Sequence, residues 1–381
     1  MSDDIGDVLD RLVGRVIARR YRVEGLLNIG GMGAVFRAHN IEKDEPVAIK
    51  VLRPDLRDSR EAIARFGREA AVAAKLDHPN CLTVTDIGQT RTGTRWMAMP
   101  LLDGQDLTHE LVRPVPLARA FDITVQVFRG LEHAHAKGVV HRDIKPDNIF
   151  VSRDRFGVEV IKICDFGIAR LLDEPSGGRF VTRLGIVLGT PAYMSPEQAA
   201  GASSDRRADL YSAGLVLYEL LAGRSAFAEG SADVATMIQN QIEVSPAPLP
   251  ATVPPIFGAI VQQLLHDGRD RRLQTATEVL RTLERASDLV WPGGGLARAL
   301  QAAAVQRPAV GQRASQQWPS ERSDAQAFDD ALKSLLARAT PFVTEQLQEG
   351  IRPRGSVTQM SGIDIDNLEL VELEPEPEPE P

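Results

Sequence analysis

Five polar residues between Lys50 and Asp165 are of types that could work together: Lys50, Glu69, Asp143, Asn148 and Asp165. Lys50 stands in the apolar run Pro46–Leu52 (PVAIKVL). A lysine so flanked either faces water from an edge strand or, held in place, grips phosphates as a point charge. Glu69 falls on the segment that follows and could turn inward to hold it. His141-Arg142-Asp143-Ile144-Lys145-Pro146-Asp147-Asn148 sets an acid, a cation and an amide within six positions. Twenty-two residues after Asp143 comes Asp165-Phe166-Gly167, preceded by the β-like run Val160–Cys164. Asp and Asn side chains offer hard oxygen ligands, which suit Mg²⁺ alongside phosphate. Either motif alone is an ordinary loop. Both, in this order behind Lys50, point to phosphoryl chemistry.

Asn28-Ile29-Gly30-Gly31-Met32-Gly33 lies between two predicted strands, Tyr21–Leu27 and Ala34–Ala38, which is the pattern of a hairpin. Dinucleotide sites place their glycines where a strand opens into a helix, and the phosphate loop GxxxxGK(S/T) is absent from the chain. The turn is therefore either a plain hairpin or one that folds over a triphosphate, its N–H groups toward the phosphate oxygens.

The elements that must position these residues can be read from periodicity. Pro46–Leu52 is a third strand, and Cys81–Ile87 and Trp96–Met99 are two more. Ile63, Phe66, Ala70 and Ala73 recur at helical spacing over Arg60–Leu76, and His78-Pro79 stops that helix. From Leu117 the chain turns helical: Leu117–Lys137 ends at Gly138, a C-cap glycine. Asp205–Ala222, apolar through its centre, then Asp233–Gln241, Ile256–His266 and Ala276–Leu289 follow. A small β-rich half and a larger helical half imply two lobes with a cleft between them. After Trp291 the breaker WPGGG and an Ala/Gln/Arg/Pro-rich stretch show no clear period. One amphipathic helix is expected over Asp324–Ala337, and the end LEPEPEPEPEP reads as an extended tail.

Bulk properties narrow the function classes. The net charge of −8 resides entirely at the end. From Gly355 onward stand Asp364, Asp366, Glu369, Glu372, Glu374, Glu376, Glu378 and Glu380 with no basic residue, so the remainder sums to zero. A balanced body gives no electrostatic reason to expect nucleic acid. Cys81 and Cys164 form no CxxC pair, which argues against a disulfide scaffold or structural zinc and suits a reducing compartment. The acidic opening MSDDIGDVLDRL is not a signal peptide, and no run of about 18 apolar residues suggests a membrane span. A cytoplasmic location is expected.

Taken in order, the motifs resemble the eukaryotic-type Ser/Thr protein kinase family in its bacterial form, from about Tyr21 to Ala286. Further marks are HPN at His78–Asn80, GTPAYMSPEQ at Gly189–Gln198, DLYSAG at Asp209–Gly214 and the GGMG form of the glycine turn. The resemblance implies an α+β bilobal fold, with a small β-rich N-lobe and a larger helical C-lobe. It also implies an N-terminal extension over 1–20, a kinase domain over 21–288 and a low-complexity, largely disordered tail over 289–381. By resemblance, Leu27, Val35, Ala48 and the hinge Met99–Leu102 enclose adenine. Asn28, Ile29, Gly30, Gly31, Met32 and Gly33, leading into Ala34, cover the phosphates. Lys50 binds the α/β-phosphates and pairs with Glu69. Asp143 takes or orients the proton of the substrate hydroxyl, Lys145 steadies the γ-phosphoryl group, and Asn148 and Asp165 hold Mg²⁺. ATP and Mg²⁺ are thus the implied cofactors. Proteins bearing Ser or Thr are the implied partners, a homodimer is allowed for autophosphorylation, and neither nucleic acid nor membrane is expected.

Lys145, two places after Asp143, is the Ser/Thr-directed pattern. Thr190 resembles the threonine that contacts the catalytic loop. Glu197 resembles the acid that pairs with a late arginine, either Arg271 or Arg272, and Asp209 the buried acid that braces the catalytic loop. Arg142 is the residue that in the family meets a phosphorylated loop, here expected at Thr182, with Ser176 or Thr190 as weaker candidates. Two departures stand out. Asn28 replaces the first loop glycine, a substitution tolerated if the turn needs φ > 0 there, with weaker nucleotide affinity expected. Pro100 replaces a hinge acid, losing an N–H but keeping its carbonyl. Cys164 either faces the nucleotide or is a small apolar filler. Two other functions compete: a kinase-like binding scaffold without phosphoryl transfer, which the complete polar set disfavours, and a small-metabolite kinase, disfavoured by GTPAYMSPEQ.

Overall fold

Alternating apolar residues from Tyr21 onward build an antiparallel sheet in the computed structural model, which describes residues 9, 11–90, 93–111, 115–154, 156–166, 191–227 and 246–305. All of these belong to one unit, Met1–Leu335. The strands are β1 (Val16–Ile17), β2 (Tyr21–Ile29), β3 (Gly33–Asn40), β4 (Glu45–Leu52), β5 (Asp86–Gln89) and β6 (Arg95–Pro100). They stand in the order β1-β2-β3-β4-β6-β5. Because side chains alternate across a sheet, one face carries Tyr21, Val23, Phe36, Val47, Ile49 and Trp96. The other carries Ala48, Met97 and Met99 and packs on helix α1 (Arg60–Ala73) through Phe66, Ala70 and Ala73.

Helix α1 starts where the Ser59 side chain accepts a hydrogen bond from the Ala62 N–H, the usual role of an N-cap serine. It ends at Ala73, three residues before the expected Leu76, where Leu76 N–H turns back to the Ala73 carbonyl. The strand expected over Cys81–Ile87 begins only at Asp86. Its first residues bond the other lobe instead: Leu82 N–H reaches the Ile163 carbonyl at 2.9 Å and Ile163 N–H the Asn80 carbonyl at 2.9 Å. Segment 1–20, expected to stand outside the domain, contributes strand β1 and the buried Leu9 and Ile17 to the sheet's core.

The larger lobe surrounds α2 (Leu117–Ala136) and α4 (Arg206–Ala222), joined by the short α3 (Pro196–Ala199), α5 (Pro255–Leu264), α6 (Ala276–Val290) and α7 (Gly295–Val305). Helix α4 buries residues on every side, as its apolar centre requires. Gly138 adopts φ 70° and closes α2 as the sequence predicts. A second sheet, β7 (Gly104–Asp106), β8 (Ile149–Arg153) and β9 (Glu159–Ile163), lies in that order against α2. It brackets the loop 141–148 and delivers Asp165. The helices expected at Asp233–Gln241 and Asp324–Ala337 lie outside the described residues.

Helix α7 falls within the region expected to begin the tail. Its approach is fixed by Trp291, whose ring meets Phe121 at 5.2 Å and Phe257 at 6.0 Å, while Leu296 packs on the same core. The glycines of WPGGG break the helical period before α7, yet the chain there presents a core-facing side through Trp291 and Leu296. Trp291→Ala should remove this aromatic contact and cost about 2–3 kcal/mol. Thermal unfolding should show Tm lowered by about 4–10 °C. An unchanged Tm would mean that the junction contributes nothing to the fold.

Candidate active site

Strands β2, β3 and β4 line up the sequence-predicted nucleotide residues. Val35 is opposite Lys50, Lys50 opposite Met97 and Ala48 opposite Met99. The pleat therefore puts Gly33, Val35, Ala48, Lys50, Met97 and Met99 on one face. Leu27 and Ile29 at the end of β2 are 49% and 45% exposed, an apolar rim with little covering it. Asn28 pairs with Val35 and Ile29 with Ala34, just past a register shift between Leu26 and Asn28. Asn28 has no positive φ, and neither do Gly30, Gly31 or Gly33, so the backbone at 28 makes no use of asparagine's tolerance of the left-handed region. Gly33 matters for space instead: a Cβ there would lie 2.9 Å from the Val51 carbonyl and 3.4 Å from the Lys50 side chain. Met32 folds back onto the α1-side core. Pro100 ends β6 with its side chain exposed, and Leu102 follows half-buried.

Lys50 Nζ donates to Glu69 Oε1 at 2.5 Å and to Asp165 Oδ1 at 3.0 Å. Glu69 sits on the buried stripe of α1, where a carboxylate without a cation would be costly. Burial works to strip the Lys50 proton, yet Asp165 and then Glu69 outweigh it and hold the ammonium well above its usual range. The same Lys50 charge draws the Asp165 carboxyl below its ordinary value. Burial pushes Glu69 up, and Lys50 opposes it. Asp165 keeps 41% of its side chain exposed, so it touches Lys50 and still meets solvent.

The catalytic-loop residues converge from the other lobe. Asn148 Nδ2 donates to the Asp143 carbonyl at 2.7 Å and to Asp143 Oδ2 at 2.9 Å. Lys145 Nζ lies 3.2 Å from the same Oδ2. Cys164 N–H donates to the Asn148 carbonyl at 2.8 Å, which brings Asn148 beside the residue preceding Asp165. With its amide nitrogen committed to Asp143, Asn148 has its side-chain oxygen left for a cation. Phe166 sets its ring edge against His141 at 4.7 Å, and His141 Nε2 pairs with the Cys164 carbonyl at 2.8 Å. Burial raises the Cys164 thiol far above its usual value and Cys81 up to about 12, so both stay protonated, as apolar fillers do.

Arg142 and Asp165 both adopt positive φ, 65° and 57°, conformations that cost non-glycine residues energy unless surroundings impose them. Asp209 imposes the first. Wholly buried on α4, it accepts from His141 N–H at 2.9 Å, Arg142 N–H at 2.6 Å and His135 Nε2 at 2.8 Å. Burial alone would raise its carboxyl; the His135 bond, the charges of His135 and His141 and the backbone N–H overcome that and leave it below the ordinary range. The sequence motifs do not single out His135, which pairs with Asp209. The one available signal was a histidine on an otherwise apolar face of α2, six residues before His141. Glu197 pairs with Arg272, two bonds of 2.8 Å each, which resolves the choice between Arg271 and Arg272. Thr182, Thr190 and Ser176 lie outside the described residues; Arg142 donates to the Ser204 carbonyl at 3.2 Å.

Asp209→Asn should lower stability by about 2–4 kcal/mol at neutral pH, because a charge-assisted buried acceptor is lost. Since the folded carboxyl sits below its unfolded value, its contribution is complete above the unfolded pKa and fades as pH falls through the lower folded one. The gap between urea midpoints should hold from about pH 8 to about pH 5 and narrow below about pH 4. A gap that does not narrow in acid would contradict this account.

Residues 21–283 match the protein kinase domain family. Serine/threonine-protein kinase pkn3 of Myxococcus xanthus is 47% identical over 225 residues, 58% of this chain and 41% of that protein. Serine/threonine-protein kinase PknJ of Mycobacterium tuberculosis is 41% identical over 241 residues, 63% of this chain and 40% of that one. The crystal structure of the Mycobacterium tuberculosis PknI kinase domain superposes with a TM-score of 0.54 at 28% identity, covering 72% of this chain and 98% of that one. The chain spans less than half the length of these curated relatives. Among the described residues no helix is long and apolar enough to cross a membrane. By the matched domain, the shared fold and the converging polar residues, the chain belongs to the protein kinase family and is similar to its bacterial Ser/Thr members.

Proposed function

We propose that the chain is an active Ser/Thr protein kinase that moves the γ-phosphoryl group of ATP to Ser and Thr hydroxyls of proteins. The observation that carries this reading is the Asp143 carboxylate, gripped by Asn148 and Lys145, in the same cleft as the Lys50–Glu69–Asp165 chain. A scaffold that only binds has no use for so complete a set.

The donor set suits a hard divalent cation: the Asn148 oxygen and the half-exposed Asp165 carboxylate, with phosphate oxygens to complete the shell. Mg²⁺ bound there would neutralise charge on the phosphate oxygens. Each residue has a task consistent with its surroundings. Lys50, kept charged by two carboxylates, holds the α/β-phosphates as a point charge. The exposed Leu27, with Val35, Ala48 and Met99, offers apolar surface of the kind adenine fills. Gly33 keeps the space above Lys50 clear for phosphate. Asp143 orients the substrate hydroxyl and receives its proton, and Lys145, beside it, steadies the transferring group. With a loose transition state the protein contributes position and charge, and little covalent chemistry.

Autophosphorylation at Thr182, with Ser176 or Thr190 as alternatives, is part of the proposal, since a new phosphate opposite Arg142 could order the segment by a charge-assisted pair. The test is transfer of labelled phosphate from ATP to protein, wild type beside Asp143→Asn, with mass spectrometry of both. Wild type should label itself and an acceptor protein, with phosphate between Asp165 and Glu197. Asp143→Asn should lose activity by about a hundredfold or more. Equal labelling by both, or none by wild type, would overturn the reading.

A further inference from the structure

The strained Arg142 is held on both sides of its Cα, through its N–H and through its carbonyl, and only one holder belongs to the recognised set. Its N–H is fixed by Asp209 at 2.6 Å. Its carbonyl accepts from Gln198 Nε2 at 2.8 Å. Gln198 lies at the third position of α3, 1% exposed. Its other end is committed too: Oε1 accepts from Ser195 N–H at 3.2 Å and Ser195 Oγ at 3.1 Å, which closes a capping box at the start of α3. A single buried amide thus spends its donor on the loop and its acceptor on the helix start.

We propose that Gln198 is a positioning residue for phosphoryl transfer. By holding the Arg142 carbonyl it fixes the plane of the peptide that leads into Asp143, and so the direction of the Asp143 carboxylate. The chemistry favours this over simple packing. At φ 65° the Arg142 backbone has a nearby relaxed alternative in the ordinary right-handed or extended regions. Asp209 fixes the nitrogen side, but rotation about the bonds between N and the carbonyl would still swing the Arg142–Asp143 peptide. Only a donor on that carbonyl stops the swing. Gln198, itself buried, has the reach to do so. Arg272 is not a substitute, because both its terminal nitrogens are spent on Glu197. The consequence is a mechanical link: α3 reaches the loop 141–148 through the Gln198 hydrogen bond to the Arg142 carbonyl, independent of the Arg142 side chain.

The inference rests on the chain being an active kinase. Its test measures steady-state kinetics of the full chain with ATP, Mg²⁺ and myelin basic protein as acceptor, with thermal melts of each variant. Gln198→Glu keeps the acceptor for Ser195 but replaces the donor to Arg142. Gln198→Met keeps the shape and removes both. Ser195→Ala weakens the helix cap while leaving the bond to Arg142. In both Gln198 variants kcat should fall about tenfold or more, as small misplacements of a catalytic group do, with both KM values within about twofold. Ser195→Ala should keep at least about half of kcat, since losing a cap acts on stability and not on the loop. If Gln198→Glu fails to fold, Gln198→Met decides. Folded Gln198 variants with wild-type kcat, a loss confined to KM, or an equal kcat loss in Ser195→Ala would each overturn the inference. An inactive wild type would instead remove the kinase reading on which it stands.

Discussion

The fold turns on a charge that cannot be left alone in a low-dielectric interior. Glu69 lies on the buried stripe of α1 beside Phe66 and Ala70, and a carboxylate there is tolerable only with a cation in contact. Lys50 supplies it at 2.5 Å from the middle of β4. Because both partners are buried, helix α1 has one rotational and axial setting against the sheet. Asp165 then joins the same ammonium at 3.0 Å from the other lobe. Three remote segments are located by one nitrogen.

The second lobe solves a different problem, holding a loop in conformations it would not choose. Arg142 and Asp165 are two of the non-glycine residues with positive φ among those described, and both flank the reacting positions. Each is over-determined. Arg142 is tied through its N–H to Asp209 and through its carbonyl to Gln198. Asp165 is placed by β9 and by Phe166, which packs on His141. The buried core of α4 makes Asp209 rigid, so packing far from the cleft is converted into direction at Asp143.

Much of the site was legible in sequence because its chemistry is carried by residue types at fixed spacing. Lys50, Glu69 and Asp165 share one ammonium, and Asp143 and Asn148 pair with each other, tied to the same strand end through Cys164. What was less legible depends on three-dimensional neighbours. Whether Arg271 or Arg272 meets Glu197 depends on the turn before α6, which no periodicity encodes. The true start of β5 depends on Leu82 finding Ile163 across the lobes. Asn28 was read as a turn residue because glycine usually stands there, yet the local ladder with Val35 makes it a strand residue. Helix α7 was hidden by the glycines before it, and the role of Gln198 by the fact that its partner is a backbone carbonyl, which leaves no mark in sequence.

On the proposed reading, Asp165 would trade part of its contact with Lys50 for a cation shared with the phosphates of a bound nucleotide. Calorimetric titration of a non-hydrolysable ATP analogue, with and without Mg²⁺, into wild type and Asp165→Asn tests it directly. Wild type should bind the analogue more tightly when Mg²⁺ is present, and Asp165→Asn should lose that gain without weaker metal-free binding. Full Mg²⁺-dependent tightening in Asp165→Asn would contradict the claim.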